Sequence, residues 1–476
     1  MSNVRGKGWG AAALVVSLVA SGCGAGPEEA AAPAPALETR MDEARAGGRV
    51  RWSKQLHGEG FDTFTHVVHD NADNLVVAGV HVADVALDGA VLGHPCRFGT
   101  SALVAKLGPD GAALWSKQFV PGAVDECQAA ITALAVDSRG NVFVGGHSDQ
   151  EVTLDGFRVG GTEHNRLGVF IAKVSAEGAV QWARDVRPAT PAAFSFVDFA
   201  VDASDRLVAL SNYYFTPEQY EPDVMVTSYD SVTGEPRFDY FFERGTTDFN
   251  SFRAASLDTD VDGNIYVAGN LAGSLVFDGQ RVTATSPWVA HVVASLTSAG
   301  HPRWIRTFES RDVAYDAAPP QLAVQGNRVI FTLSGDRTFA GTSVGTGTHL
   351  AALTRSGDER WIRYASNATE LATTPGRNEV VVTGSDGTGL GLPPYAWPQV
   401  PGMFVAKLRA SDGQLQWAER FNALTGANPY VFAAQVSVSS KGRPAVAGYF
   451  QAGEWQVGQD RLSSLGQDAF VLELSK

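Results

Sequence analysis

Hydrophobic and polar positions alternate in a short unit that recurs along the chain. In LDTDVDGNIYVAG (Leu257–Gly269), an alternating segment leads into a turn of Asp, Gly and Asn, and then into a second segment rich in apolar residues. Gly and Asn supply the positive φ that tight turns need, so the unit predicts a β-hairpin. It recurs in VVHDNADNLVVAG, LAVDSRGNVFVGG and FAVDASDRLVALS, and more weakly in LAVQGNRVIFTLS, ATTPGRNEVVVTG and VSVSSKGRPAVAG.

A third apolar strand follows each of these hairpins. Its copies are ALVAKLGPDG, VFIAKVSAEG, VMVTSYDSVTG, VAHVVASLTSAG, LAALTRSGD, MFVAKLRASDG and the closing AFVLELS. After each of the first six, an aromatic residue marks a fourth strand: Trp115, Trp182, Phe238, Trp304, Trp361 and Trp417. The seventh fourth strand is missing at the C-terminus, and RVRWSKQL around Trp52 supplies a matching strand at the N-terminus.

This circular offset predicts an all-β fold. Residues 49–476 should form a seven-bladed β-propeller of four-stranded antiparallel blades, with the ring closed by the N-terminal strand. The aromatic positions are about 61 residues apart on average, more than the roughly 40–50 of common propeller repeats. The excess lies between second and third strands, where VALDGAVLG, VTLDGFRVGG, LVFDGQRVTA and FAGTSVGTG predict an added small hairpin.

The repeat resembles a known family. FVAKLRASDGQLQW (Phe404–Trp417) and LAVDSRGNVFVGG (Leu134–Gly146) are similar to the β-propeller repeat of exported bacterial proteins, often called the SBBP repeat. The resemblance implies the fold but no activity, because none is tied to the repeat itself. The third, fifth and sixth units depart most from the pattern.

The Asp-rich stretch also matches the start of a calcium loop. Asp258, Asp260, Asp262 and Gly263 stand where a D-x-D-x-D-G loop places ligands and its turn. The position that needs a bidentate Glu is Gly269, and the flanking segments are strands. Turn chemistry alone explains these residues, so the hairpin is favoured over a metal site.

The N-terminus predicts export. Arg5 and Lys7 precede an apolar run that is too short to span a bilayer. The run leads to ASGC, and residues 1–22 resemble a bacterial lipoprotein signal peptide, which implies acylation of Cys23. The alternative is an ordinary secretory signal peptide. Residues 23–48, rich in Ala, Pro and Glu, predict a flexible tether. The expected location is the outer membrane, on its periplasmic side or at the cell surface, with the lipid as the only membrane contact.

Composition narrows the choice of partners. The formal net charge is −14, and it becomes −16 once Arg5 and Lys7 are removed with the signal. Such acidity argues against nucleic acid, whose phosphates require Lys and Arg. The hydrophobic content of 44% supports a substantial core. Besides Cys23 the chain has only Cys96 and Cys127, which are predicted to form a disulfide in an oxidising compartment.

No motif makes a strong case for catalysis. GTSVG around Ser343 matches a nucleophile elbow, but it lies in a predicted hairpin rather than between a strand and a helix. His66 and His69, three apart on a strand, point to opposite faces. The chain is therefore expected to lack catalytic residues, a metal site and a cofactor.

Two aromatic loops indicate where a partner would dock. Tyr213, Tyr214, Tyr220, Tyr395 and Trp397 lie between second and third strands and would suit stacking against a glycan or an apolar protein surface; packing over the blade tops is the alternative. We therefore expect a monomeric, non-enzymatic binding or scaffolding module for a protein or polysaccharide. The competing hypothesis is a lyase or hydrolase that acts on a polymer at the central cleft.

Overall fold

The secondary structure of the described residues consists of β-strands. The structure is a computed structural model that describes residues 47–58, 60–94, 96–121, 125–161, 168–186, 193–214, 223–245, 251–284, 289–309, 319–365, 367–374, 376–386, 402–425 and 430–476. All of these residues belong to the compact unit Ala44–Lys476. Within these ranges there is no helix with the length and apolar character needed to cross a membrane.

The strands form four-stranded antiparallel meanders, several of which carry an inserted short pair. The chain begins with β1 (Val50–Gln55) and β2 (His57–Gly58). The first meander comprises β3 (Thr63–His69), β4 (Leu75–His81), the inserted β5 (Val85–Leu87) and β6 (Ala90–Leu92), β7 (Phe98–Leu107) and β8 (Ala113–Pro121). The second comprises β9 (Glu126–Val136), β10 (Val142–Ser148), the inserted β11 (Glu151–Leu154) and β12 (Phe157–Gly160), β13 (Gly168–Val174) and β14 (Val180–Asp185).

The next two meanders repeat this order. The third comprises β15 (Ala193–Val201), β16 (Leu207–Tyr214), β17 (Asp223–Tyr229) and β18 (Pro236–Arg244). The fourth comprises β19 (Ser251–Thr259), β20 (Ile265–Ala272), the inserted β21 (Ser274–Phe277) and β22 (Gln280–Thr283), β23 (Ala290–Leu296) and β24 (Pro302–Glu309).

The remaining strands complete the described chain. The fifth meander comprises β25 (Leu322–Gln325), β26 (Arg328–Ser334), the inserted β27 (Arg337–Phe339) and β28 (Thr342–Val344), β29 (Thr348–Leu353) and β30 (Glu359–Tyr364). The sixth comprises β31 (Glu370–Thr373), β32 (Glu379–Asp386), β33 (Gly402–Arg409) and β34 (Leu415–Thr425). The last strands are β35 (Tyr430–Val438), β36 (Pro444–Val457) and β37 (Asp460–Leu474).

The N-terminal strand pairs with the C-terminal one. β1 lies antiparallel to β37, with Trp52 opposite Glu473 and Gln55 opposite Phe470. β37 also pairs with β36, and β36 with β35, so β1 is the fourth strand of this last group. Gly47 and Gly48, which the sequence assigns to the tether, pack against the Trp417 ring, so the ordered fold begins before residue 49.

The first strands of the meanders lie side by side, and we call them the inner strands. They are β3, β9, β15, β19, β25, β31 and β35, and each contacts the next, with β35 contacting β3. Inner strands are also joined through side chains. Asp198 Oδ2 accepts the N–H of Leu257 at 2.8 Å, and Asp258 Oδ2 accepts the N–H of Val324 at 2.7 Å.

A bulge in the inner strands explains the glycine that ends many hairpin copies. In β3 the register with β4 shifts between Phe64 and His66, which brings the β3 backbone close to Gly79. A Cβ at Gly79 would lie 1.9 Å from Thr63 O, so no other residue fits without moving the strand.

Five of the fourth-strand aromatic residues, all of them tryptophans, fasten one meander to the next through a hydrogen bond. Their Nε1–H groups donate to carbonyls in the third-to-fourth-strand turn of the following meander: Trp52 to Pro109 at 3.2 Å, Trp115 to Ala176 at 3.0 Å, Trp182 to Ser231 at 3.4 Å, Trp304 to Arg355 at 2.9 Å and Trp361 to Ala410 at 3.1 Å. The Trp52 ring lies on Gly111, where a Cβ would come within 2.8 Å of it. The repeated Gly before each aromatic position therefore serves the neighbouring meander.

Buried ion pairs add a second connection at some of these junctions. Lys106 Nζ lies 2.9 Å from Asp70 Oδ2, and both side chains are only 3% exposed. Lys106 also donates to Gly140 O and Ala176 O of the next meander. Burial alone would raise the pKa of Asp70, but hydrogen bonds from Lys106 and Asn74 hold it below its ordinary value.

Candidate functional site

The hairpin turns at one end of the inner strands enclose a cavity of about 670 Å³, which we call the turn cavity. It lies between the turns β19–β20, β25–β26 and β31–β32, with Ser411 of the β33–β34 turn at its edge. A cleft with a few convergent polar groups is the usual form of a ligand site, so these turns are the first candidate.

The Asp-rich stretch Leu257–Gly269 forms one wall of this cavity. Asp260 Oδ1 accepts the N–H groups of Asp262 and Asn264, each at 2.9 Å, and Gly263 has φ +76°. The predicted hairpin is therefore confirmed. The same arrangement of an Asp and the residue four positions later recurs at Asp137 and Asn141.

Two arginines and several amide side chains line the turn cavity. Arg328 donates from Nη1 to Asn327 O at 3.0 Å, while its buried Nε has no hydrogen-bond partner within the described ranges. Arg377 Nε lies 3.3 Å from Glu379 Oε2, and its side chain is 39% exposed. Gln325 donates to Arg377 O, which fixes the second turn against the third. Arg328 therefore has donor capacity that the fold does not use.

A row of carboxyl groups runs from the turn cavity into the space between the inner strands. Asp260 at the mouth is paired with Arg355, whose Nε lies 2.6 Å away. Behind it, burial raises the pKa of Asp258 to about 6, and burial raises that of Asp198 to about 7. Burial and then the charge of Asp198 raise the pKa of Glu370 well above its ordinary value. Asp198 and Glu370, at the inner end of the row, therefore hold protons at a pH at which surface carboxyls have lost theirs.

Asp198 and Glu370 come from inner strands that are not neighbours. Asp198 lies on β15 and Glu370 on β31, yet the charge of Asp198 affects the pKa of Glu370. The inner strands therefore surround a narrow space. Glu370 keeps some exposure to it, and His66, whose pKa burial lowers to about 4, lies on the inner strand β3.

Ser437, His69 and Glu473 form an arrangement that resembles a nucleophile with its base. Ser437 Oγ lies 3.0 Å from His69 Nδ1, and Glu473 Oε1 lies 3.5 Å from His69 Nε2. Burial lowers the pKa of His69 to about 3, so the imidazole is a poor proton acceptor at neutral pH. Ser437 Oγ also accepts the N–H of His69 at 2.9 Å. The group therefore fits a structural connection between β35 and β3 better than catalysis.

The aromatic residues expected on a ligand face are distributed differently. Tyr213 is 5% exposed and packs edge-on against Phe194 and Phe241, so its ring belongs to the core and offers no open face. The side chain of Tyr214, and all of Tyr220, Tyr395 and Trp397, lie outside the described residues.

The structure brings together an aromatic group that sequence analysis missed. Tyr430 is 45% exposed, and its ring stacks on Phe432 with centroids 6.3 Å apart. Tyr449 on β36 packs against both rings. The signal was the alternation YVF at the start of β35, which places two aromatic side chains on the same face of a strand.

The remaining predicted positions are the three cysteines and Ser343. Cys96 and Cys127 form a disulfide, which joins the loop after β6 to β9, while Cys23 lies outside the described residues. Ser343 is exposed within the small hairpin β27–β28, and its Oγ contacts Asp336 Oδ1 at 3.4 Å. Within the described ranges, no three His, Cys, Asp or Glu side chains converge to hold a metal ion.

Comparisons with known proteins return similarities of structure only. No protein-family model matches the sequence, and no curated protein matches it. The polysaccharide lyase Uly1 is 7% identical, with 90% of this chain and 99% of that chain covered and a TM-score of 0.45. The WD40 domain of SCAP from fission yeast is 9% identical, with 88% of this chain and 97% of that chain covered and a TM-score of 0.40. Trypanosoma rangeli sialidase is 8% identical, with 87% of this chain and 55% of that chain covered and a TM-score of 0.42.

These similarities carry no argument about activity or ligand. The three identities are below 10%, and the three TM-scores are below 0.5. The β-propeller fold follows from the meanders and from the contacts between inner strands. Function has to be argued from the site itself.

Proposed function

We propose that this chain is an exported, lipid-anchored, seven-bladed β-propeller that binds an acidic polysaccharide in the turn cavity. The observation that carries the proposal is the cavity itself, where Arg328 and Arg377 accompany the amide side chains of Gln325, Asn327 and Asn378. The basic, apolar and small-residue segments that end at Cys23 support export and the lipid anchor.

Three contacts support a ring closed by the N-terminal strand. β1 pairs with β37, Trp52 donates to Pro109 of the first meander, and β35 contacts β3. The contact between inner strands recurs at every intervening junction, and the tryptophan hydrogen bond recurs at four of them, those of Trp115, Trp182, Trp304 and Trp361. A closed ring leaves few exposed strand edges, which suits a protein working outside the cell.

The chemistry of the turn cavity favours a ligand with a carboxylate and many hydroxyl groups. A guanidinium pairs with carboxylates, and amide side chains both donate to and accept from hydroxyls. The protein carries a net charge of −14, whereas the cavity lining is balanced, with Arg328 and Arg377 against Asp258 and Asp260, so an anion would meet less repulsion there than elsewhere. Asp258, which also lines the cavity, has its pKa raised by burial to about 6, so at lower pH it loses the charge that would repel an anionic sugar.

The test compares binding of acidic and neutral polysaccharides by isothermal titration calorimetry. Arg328→Ala should weaken binding of the acidic polymer at least tenfold and leave the melting temperature nearly unchanged. Arg158→Ala is the matched control, because Arg158 is 72% exposed on the β11–β12 hairpin. Binding should also tighten as the pH falls from 7 to 5. Equal binding by both variants and the parent would refute the proposed site.

A polymer-cleaving enzyme is the second candidate, and Glu370 is the observation that favours it. Its raised pKa gives a protonated carboxyl close to Asp198, and general acids in glycoside cleavage are carboxyls of this kind. Glu370→Gln should then abolish product formation but preserve binding. The absence of any product from a polysaccharide that the parent binds would leave the binding module as the function.

A further inference from the structure

The rings of Tyr430, Phe432 and Tyr449, which we call the aromatic cluster, lie at the end of an inner strand that is opposite to the turn cavity. Tyr430 is the first residue of β35, whereas the turns that enclose the turn cavity follow the last residues of their inner strands. The aromatic cluster is therefore a surface separate from that cavity.

The three rings have similar orientations. The planes of Tyr430 and Phe432 are 11° apart, and the Tyr449 plane is inclined by 39° to the first and by 30° to the second. Tyr430 is 45% exposed, while Phe432 and Tyr449 are half-buried. Single aromatic residues at a surface need no explanation, but a group of three with one ring open to solvent is typical of a binding surface.

The strand register extends this surface across the last group of strands. Tyr430 lies opposite Gln451 of β36, and Gln451 lies opposite Gln467 of β37, so the three side chains share one face of the sheet. Phe61, which is 54% exposed, continues the row through its bridge with Gln467. Neighbouring strands are about 4.8 Å apart, so the row from Tyr430 to Phe61 is roughly 14 Å long.

Polar groups beside the rings are available to a ligand. The hydroxyls of Tyr430 and Tyr449 make no hydrogen bond to another described residue, and neither does the half-buried amide of Gln451. A phenol hydroxyl and an amide can each donate and accept a hydrogen bond. A ligand that carries hydroxyl groups can therefore bind them without breaking a contact of the fold.

The surface has no formal charge. The positions that share this face on β35, β36 and β37 are all uncharged: Tyr430, Phe432, Tyr449, Gln451, Gln467 and Ala469. A charged ligand would form no ion pair with these residues, and the net charge of −14 would disfavour an anion. The surface therefore favours an uncharged ligand.

We propose that the aromatic cluster binds an uncharged polysaccharide, with a pyranose ring stacked on Tyr430 and sugar hydroxyls bonded to Tyr449 and Gln451. The face of an aromatic ring is partly negative, and it attracts the partly positive C–H groups on the face of a pyranose whose hydroxyls are equatorial. An apolar protein segment would cover the rings but leave the amide and hydroxyl groups without partners, which is unfavourable. This proposal does not depend on the turn cavity.

The experiment is isothermal titration calorimetry with cellohexaose, an uncharged oligomer of β-linked glucose. Tyr430→Ala should weaken binding about tenfold or more because the stacked ring is lost, and the melting temperature should change little. Tyr430→Phe keeps the ring and should retain most of the affinity. Tyr364→Ala is the matched control, because Tyr364 is a tyrosine of β30 that is 42% exposed.

A second variant separates sugar binding from packing. Gln451→Ala keeps all three rings, so it should weaken cellohexaose binding severalfold at an unchanged melting temperature. If Gln451→Ala binds as the parent does and Tyr430→Ala melts far lower than the parent, the rings are packing residues and the proposal is wrong. A parent that does not bind cellohexaose, or that binds it no better than Tyr430→Ala does, would also overturn it.

Two further measurements distinguish this surface from the other possibilities. Arg328→Ala should bind cellohexaose as the parent does, so a failure of the turn-cavity proposal and a failure of this one give different results. Size-exclusion chromatography tests for a second copy of the chain as the occupant. A parent dimer that Tyr430→Ala converts to a monomer would assign the aromatic cluster to that interface and contradict the sugar site.

Discussion

Removal of β1 is the sharpest test of how this fold is completed. A deletion of residues 24–56 takes away the strand that pairs with β37 at five positions. At about 1 kcal/mol per backbone hydrogen bond, the lost pairing alone amounts to roughly 5 kcal/mol. Leu56 is 0% exposed, and emptying such a site costs about 2–5 kcal/mol. The total is comparable with the roughly 5–15 kcal/mol that holds a domain together.

Two further losses act in the same direction. Trp52 would no longer donate to Pro109, and Glu473, which is fully buried, would lose Arg51. The edge of β37 would also be exposed, and exposed edges recruit other chains. The terms are not additive, because the groups are in contact, but half of their sum, roughly 4–5 kcal/mol, is still a large share of the stability of a domain.

The assay is size-exclusion chromatography together with thermal melting. The matched control deletes residues 24–46 and keeps Gly47 and Gly48, since these glycines pack on Trp417. The control should remain a monomer with an unchanged midpoint, whereas the longer deletion should aggregate or melt far lower. If both are equally stable monomers, β1 does not complete the fold and the proposed seven-bladed ring must be redrawn.

Two other substitutions test the buried charges. Lys106→Met should destabilise the protein by about 3–5 kcal/mol, because it leaves Asp70 buried without its cation. Adding Asp70→Asn to the same chain should restore most of the lost stability. Urea denaturation measures both variants, and a single variant as stable as the double variant would contradict this reasoning. Burial raises the pKa of Asp198 to about 7 in the folded protein, compared with roughly 3.9 in the unfolded chain. The contribution of Asp198 to the free energy of unfolding is therefore complete below pH 4 and is lost as the pH rises through 7. The parent should therefore lose stability over this range relative to Asp198→Asn, and parallel melting curves would show that Asp198 does not titrate there.

Much of the local structure could be predicted from the sequence, because turns and alternating strands are encoded within a few residues. The hairpin at Leu257–Gly269 and the aromatic fourth strands are of this kind. One small hairpin was missed. The ends of β36 and β37 extend past a register shift between Gln451 and Gly453 as a further pair, in which Trp455 faces Leu462. This copy lacks the Asp-Gly turn that three of the other four inserted hairpins have.

The candidate site was harder to predict, since it depends on residues from different meanders. The turn cavity is enclosed by three turns that are each ordinary in sequence, and only their spacing in the fold brings Arg328 near Asp258. The carboxyl row did leave a signal. Asp198 is the one charged residue of β15, an inner strand that is otherwise largely apolar, and Asp258 lies beside the apolar Leu257 near the end of β19.

The two charged groups of the turn cavity should have different roles. Asp258 already accepts the N–H groups of Val324 and Thr259, so its carboxyl is committed to joining neighbouring inner strands. Arg328 donates from Nη1 only to the carbonyl of its neighbour Asn327 among the described residues, so a ligand can approach its guanidinium without breaking a contact between strands. Replacement of Asp258 should therefore lower stability more than affinity, and replacement of Arg328 should do the reverse.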